Sequence, residues 1–186
     1  NPSIEENPDR VEDVLYRLRA IILSVRSDGL VKANEEFSAW LNGDRSIPFG
    51  SDGEHVTIRL IDFDNLSNND YVVTTQYRFT GKGQTRIPDV VLLVNGMPLV
   101  IIEAKTPTRD CVSWADGALQ INDYEVDIPE LFVPNVLSVA TEGKEFRYGS
   151  VRMPVGLWGP WRVDGDEQLS PLERVGSSVR SMLSPA

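Results

Sequence analysis

Asp89, Glu103 and Lys105 are the residues in this chain best placed to do chemistry together. They lie in the run RIPDVVLLVNGMPLVIIEAK, residues 86–105, where Asn95-Gly96 separates two apolar segments. Asn-Gly between such segments is a strong hairpin signal, because both residues tolerate positive φ. A hairpin folds the end of its second strand back beside the start of its first. Asp89 is therefore expected near Glu103 and Lys105, which are two residues apart and leave one face of a strand. Two adjacent carboxylates repel unless a cation sits between them. A hard divalent cation such as Mg²⁺ takes oxygen ligands and keeps several waters. Asp89 and Glu103 are thus candidate metal ligands, and Lys105 a candidate to orient or activate a water toward a phosphate. Each residue alone has a plainer reading. Asp after Pro is a common turn or cap residue, and Glu-x-Lys a common solvated edge or cross-strand pair. That reading suits Glu103 poorly. The run from Pro98 to Ile102 implies a strand buried on both faces, and a carboxylate at its end must be paired or metal-bound.

A second group follows. SWADGALQINDY, residues 113–124, reads as a helix, although Gly117 weakens it. Gln120 and Tyr124 are four apart and share a face. The same spacing also suits a core tyrosine beside an exposed glutamine.

The Asp89, Glu103, Lys105 arrangement resembles that of the PD-(D/E)xK nucleases. The surrounding text is more specific. NDYVVTTQYRFTGKGQTRIPDVVLLVNGMPLVIIEAKTP, together with IDFDNLSNND and INDYEVDIPELFVPNVLSVATEGKEFRYGS, is similar to the N-terminal nuclease domain of the type I restriction endonuclease R (HsdR) subunit. The similarity runs over roughly residues 58–161, and Gln120 with Tyr124 resembles the QxxxY motif of the RecB-like branch. The resemblance implies an α/β (α+β) fold with a mixed central β-sheet flanked by helices, the restriction-endonuclease-like core. It implies a type I site-specific deoxyribonuclease acting on double-stranded DNA. Mg²⁺ would be held by Asp89 and Glu103, and Asp89, Glu103, Lys105, Gln120 and Tyr124 would form the catalytic set. The implied partners are methylation and specificity subunits and a fused helicase-type translocase, with ATP used only by that motor, in the cytoplasm. Related nucleases often carry a helical Glu at the metal. Glu12, Glu35 and Glu36 lie on expected helices, but in R subunits that residue normally lies farther upstream, so none is assigned. Two rival readings are a stand-alone DNA repair nuclease and a catalytically silent docking module.

Composition sets the limits. The chain has 186 residues, enough for one domain with a sizeable core. Residues 1–165 are expected to form the nuclease domain, and 166–186 a segment leading toward a translocase. Asn1 stands where a Met would begin a protein, which reads as a fragment. The single cysteine, Cys111, excludes an intrachain disulfide, fits a reducing cytosol, and is expected as a buried small hydrophobe. No signal peptide is visible. No apolar run reaches the roughly 18 residues of a membrane span. The net charge of −10 opposes DNA binding by the chain alone. It implies that another domain or subunit holds the DNA. The cationic residues Lys144, Arg147, Arg152 and Arg162 are the expected DNA-facing edge. Gly81-Lys82-Gly83 lacks the residues of a nucleotide-binding GxxxxGK[ST] loop and reads as a plain loop.

The remaining pattern gives the elements. Apolar residues at 11, 14, 15, 18, 21, 22 and 25 predict a helix over 10–25. A short second helix is expected over 34–42, with Asn34 as N-cap. Strands are expected at 55–63, 71–79, 136–140 and 145–148. Residues 154–161 are expected to be irregular, with a short helix from Leu172. His55, the only histidine, reads as a strand-start residue, and Trp158 and Trp161 as packed rings.

Overall fold

The computed structural model of the chain describes residues 10–49, 53–81, 83–106, 108 and 111–184. Helix α1, Arg10–Asp28, buries Val14, Leu18 and Val25, one stripe at helical spacing. It stops at Gly29, whose φ of 86° suits glycine. Helix α2, Leu30–Leu41, starts there, four residues before the expected cap. Asn34 is therefore inside α2 and caps nothing. Its Nδ2 donates instead to the carbonyls of Val133 at 3.0 Å and Asn135 at 2.8 Å, tying α2 to a distant loop.

A short ribbon of β1, Ser46–Ile47, and β2, Val56–Thr57, follows. The strand expected over 55–63 ends at Thr57. Beyond it, side chains claim the backbone. Asp62 Oδ1 accepts from the Asp64 and Asn65 N–H groups, and Asn69 bonds both the N–H and the carbonyl of Asp62. Short polar side chains offer the chain this alternative to a ladder. The strand expected over 71–79 is also divided. β3, Tyr71–Thr75, and β4, Phe79–Thr80, are separated at Gln76, which has a φ of 52°. β4 pairs with β5, Thr85–Arg86, in a second small ribbon.

The hairpin is as expected: β6, Val90–Val94, and β7, Met97–Ala104, joined by Asn95 and Gly96, both with positive φ. The register slips once. Leu93 faces Pro98 but Leu92 faces Val100, which leaves Leu99 as an extra residue in β7. Helices α3, Trp114–Asp127, and α4, Pro129–Phe132, form a crossover to β8, Leu137–Thr141, parallel to β7. β9, Phe146–Gly149, and a two-residue edge strand β10, Gly159–Pro160, complete one six-stranded mixed sheet of order β10-β9-β8-β7-β6-β3. β10 falls in the Gly/Pro stretch expected to be irregular, and pairs only at the edge, where proline costs little.

Helices flank this sheet. On one face Leu99, Ile101 and Val91 pack with residues of α1 to α4 in the main core. On the other, Val139 and Phe146 meet Val175 of helix α5, Pro171–Leu183, with Val100 and Ile102 half-buried beside them. The second face of β7 is thus covered less fully than the sequence run suggested. α5 carries a capping box of Ser170 and Glu173, with Pro171 in its first turn. Trp158 is buried and donates to the Met153 carbonyl, while Trp161 stands edge-on to Tyr148. Cys111 is exposed, not buried; it lies in the loop before α3 and reaches no core. Among the described residues no helix is long and apolar enough to cross a membrane.

Candidate active site

The register of the sheet builds the site. Thr75 faces Val90, Val90 faces Ile102, Glu103 faces Ala140, and Ala140 faces Arg147. Continuing the first two pairings by one residue sets Gln76 opposite Asp89 and Asp89 opposite Glu103. Side chains directly opposite across a ladder share a face. One lateral row of the sheet therefore reads Gln76, Asp89, Glu103, Ala140, Arg147, all toward α3.

Helix α3 is held close above that row. Ser113 caps it: its Oγ accepts from the Ala115 N–H, and Asp116 Oδ2 accepts from the Ser113 N–H. Gly117 makes the closest approach. A Cβ there would lie 3.2 Å from the Ala140 Cβ and 3.4 Å from the Glu103 Cβ. The residue that weakens the helix by propensity is the one that lets it sit down on the sheet. Gln120 and Tyr124 follow at helical spacing, three and seven residues on, and so hang over the carboxylates.

Asp89, Glu103, Lys105, Gln120 and Tyr124 come together in this structure. Lys105 lies just past the end of β7, its N–H donating to the Thr141 carbonyl at 2.7 Å. Its Nζ is 3.3 Å from Glu103 Oε2 and donates to Gln120 Oε1. Gln120 Nε2 in turn donates to the Tyr124 hydroxyl oxygen. Asp89 Oδ2 accepts from the Ala104 N–H at 3.0 Å, and Oδ1 from Gln76 Nε2 at 2.9 Å. Gln76 escaped the sequence reading. Its signal was the ladder itself: counting back from the Asn95-Gly96 turn through β6 to its partner strand places residue 76 against residue 89.

Glu103 is 1% exposed. Burial, then the nearby Asp89 carboxylate, raise its pKa from 4.5 to about 7, with Lys105 opposing. Burial also raises the Tyr124 hydroxyl, and the two carboxylates add to the effect. Glu103 Oε1 is buried and has no hydrogen-bond partner. A buried carboxylate oxygen left unpaired beside a second carboxylate is a poor arrangement for a protein alone, and a natural one for a cation. Among the described residues no cluster of three or more His, Cys, Asp or Glu side chains forms. Asp89 and Glu103 therefore fit a hard cation that keeps most of its water, as Mg²⁺ does. Glu12 and Glu35 are exposed on α1 and α2, and Glu36 pairs with Arg45. His55 bonds Ser46 in the β1–β2 ribbon.

The cationic edge is different from the one expected. Lys144, Arg147 and Arg162 line one cavity of about 260 Å³, joined there by Arg174. Arg147 also stacks over Trp114 at 5.2 Å. Arg152 is elsewhere, bound through its N–H to the buried Glu125. A separate cleft of about 400 Å³ adjoins Gln120 and Tyr124, lined by Thr85, Arg86, Ile87 and Asp123.

The sequence matches the family described as Type I restriction enzyme R protein N terminus over residues 3–154. The chain belongs to this family. Its relatives agree. The HindI type I restriction enzyme endonuclease subunit of Haemophilus influenzae is 31% identical over 157 residues, 83% of this chain and 15% of the relative. A protein of Methanocaldococcus jannaschii, provisionally named the endonuclease subunit of the MjaIXP type I restriction enzyme, is 27% identical over 176 residues. That covers 90% of this chain and 16% of the relative. The R protein N-terminal chain thus spans about a sixth of the length of these relatives.

Proposed function

We propose that this R protein N-terminal domain is a Mg²⁺-dependent endonuclease, hydrolysing phosphodiester bonds of double-stranded DNA within a type I restriction enzyme. The observation that carries the proposal is the unpartnered, buried Glu103 Oε1 beside Asp89, with Lys105 at the same spot. In this reading Asp89 and Glu103 hold the cation. When bound, it supplies a Lewis acid that acidifies water and offsets phosphate charge.

The chain's own groups do the rest. Lys105 places a positive charge where the attacked phosphate gathers negative charge, a contact worth most in the transition state. Gln120 fixes the Lys105 amine by accepting from it. Tyr124, whose oxygen accepts from Gln120, keeps its own proton to donate beside Glu103. The cleft beside Gln120 and Tyr124 offers room for a nucleotide next to the scissile bond. Lys144, Arg147 and Arg162 form the DNA-facing edge at the other side. With a net charge of −10, the domain relies on neighbours to hold the polyanion. A fused ATP-driven translocase and the methylation and specificity subunits fill that role in this proposal.

Calorimetric titration tests the metal assignment. Mn²⁺ or Mg²⁺ added to the chain at about pH 8 is expected to give a weak one-site isotherm, lost in Asp89→Ala and in Glu103→Ala. Equal heats from all three proteins would remove the site.

A further inference from the structure

We propose that Gln76 is a positioning residue for Asp89, a role that rests on the metal-binding reading above. Three observations converge on it. Its φ of 52° puts it in the left-handed region, which residues other than Gly, Asn and Asp enter at a cost. Its N–H donates to the Asp89 carbonyl at 2.8 Å, and Tyr77 N–H to the Pro88 carbonyl at 3.0 Å, so two backbone bonds outside the regular ladder hold the chain past the end of β3 as it turns away toward β4. Its side-chain amide donates to Asp89 Oδ1 at 2.9 Å.

The backbone alone would be served better by Gly. A residue held in an unfavourable conformation at the edge of a reactive site points to a use for its side chain. Here the use is to hold one oxygen of Asp89 while the Ala104 N–H holds the other at 3.0 Å. Two donors, from the strands on either side, fix the plane of the carboxylate and leave each oxygen a further lone pair for a cation. The donor is also neutral. A lysine or arginine at position 76 would reach the same oxygen but would oppose a cation with its own charge. Outer partners of this kind orient a carboxylate ligand and tune its affinity.

Mn²⁺ titration and thermal melting of the 186-residue chain test the role, using Gln76→Gly, Gln76→Asn and Asp89→Asn. Gly relieves the backbone, and Asn tolerates it but is one methylene too short to reach Oδ1. Both are expected to melt at or near the wild-type temperature. Both should bind Mn²⁺ about 10-fold or more weakly, and Asp89→Asn should not bind it. Wild-type affinity in both Gln76 variants, with binding lost in Asp89→Asn, overturns the role of Gln76 alone. Parallel losses of melting temperature and affinity in both variants mark a structural role and also overturn it. Wild-type binding by Asp89→Asn overturns the metal site and this inference with it.

Discussion

Lys105→Ala is expected to lower DNA cleavage by the assembled restriction enzyme by about 10²–10³-fold. Folding and ATP consumption by the motor should be unchanged. The Lys105 side chain is only 20% exposed, so truncation also removes some stem packing, and the melting temperature should fall modestly while the fold survives. What disappears is the ammonium 3.3 Å from Glu103 Oε2 and its bond to Gln120. In the proposed mechanism that group acts on charge that develops during the reaction, and so it should be missed in kcat more than in substrate affinity. Cation binding should persist, since both carboxylates remain. Measuring cleavage, ATP hydrolysis and Mn²⁺ affinity on one preparation separates these effects. Near wild-type cutting, or a domain that no longer folds, would sink the role assigned to Lys105.

Glu103→Gln should stabilise the metal-free chain in alkaline solution while abolishing cleavage. The folded pKa of Glu103 is raised to about 7 from 4.5, so the folded state favours the proton. The sign follows. Below pH 4.5 the carboxyl is neutral in both states and costs nothing. Between 4.5 and about 7 the unfolded chain ionises first, and stability falls as pH rises. Above about 7 the full penalty applies, of the order of 3–4 kcal/mol at about 1.36 kcal/mol per pKa unit. In chelator at about pH 8, Glu103→Gln should therefore melt about 6–16 °C higher than wild type for a domain of this size. Near pH 4.5 most of that gain should vanish. Saturating Mg²⁺ should close the gap in alkaline solution by stabilising only the wild type. A Glu103→Gln variant less stable than wild type there would mean that Glu103 is satisfied by the fold and needs no cation.

Much of this site was legible because its parts are local. Asn95-Gly96 fixes a hairpin, the hairpin joins Asp89 to Glu103 and Lys105, and the helical spacing of Gln120 and Tyr124 gives them one face. The family resemblance supplied the link between helix and hairpin. What was missed depends on distant partners. Gln76 meets Asp89 only once β3 is known to pair with β6. Gly117 reads as a flaw in a helix until Ala140 and Glu103 are set beneath it. The alternating residues from His55 to Phe63 imitate a strand, but Asp62 and Asn69 bond the backbone first. Asn34 has the chemistry of a cap, and its amide is spent on two carbonyls far along the chain. Cys111 carries no pattern that fixes its burial, since the loop around it decides that.

The extra residue in β7 makes the two arms of the hairpin unequal in the genetic changes they can survive. Near the turn Leu93 faces Pro98; beyond the slip Val90 faces Ile102. Without the slip, the first pairing carried down the same sequence would set Asp89 against Ile102. That residue's side chain leaves the opposite face of β7 from Glu103. The present spacing therefore needs one surplus residue, and Leu99 is it. Losing the Leu99 codon would remove the surplus and the slip together. Leu92 would still face Val100, and Asp89 would still face Glu103, at the expense of one buried side chain. Losing a codon from β6 instead, with the slip retained, draws Asp89 one place nearer the turn and sets it against Ile102. Inheritance can shorten one arm at a single place, while the other must keep its length to the residue.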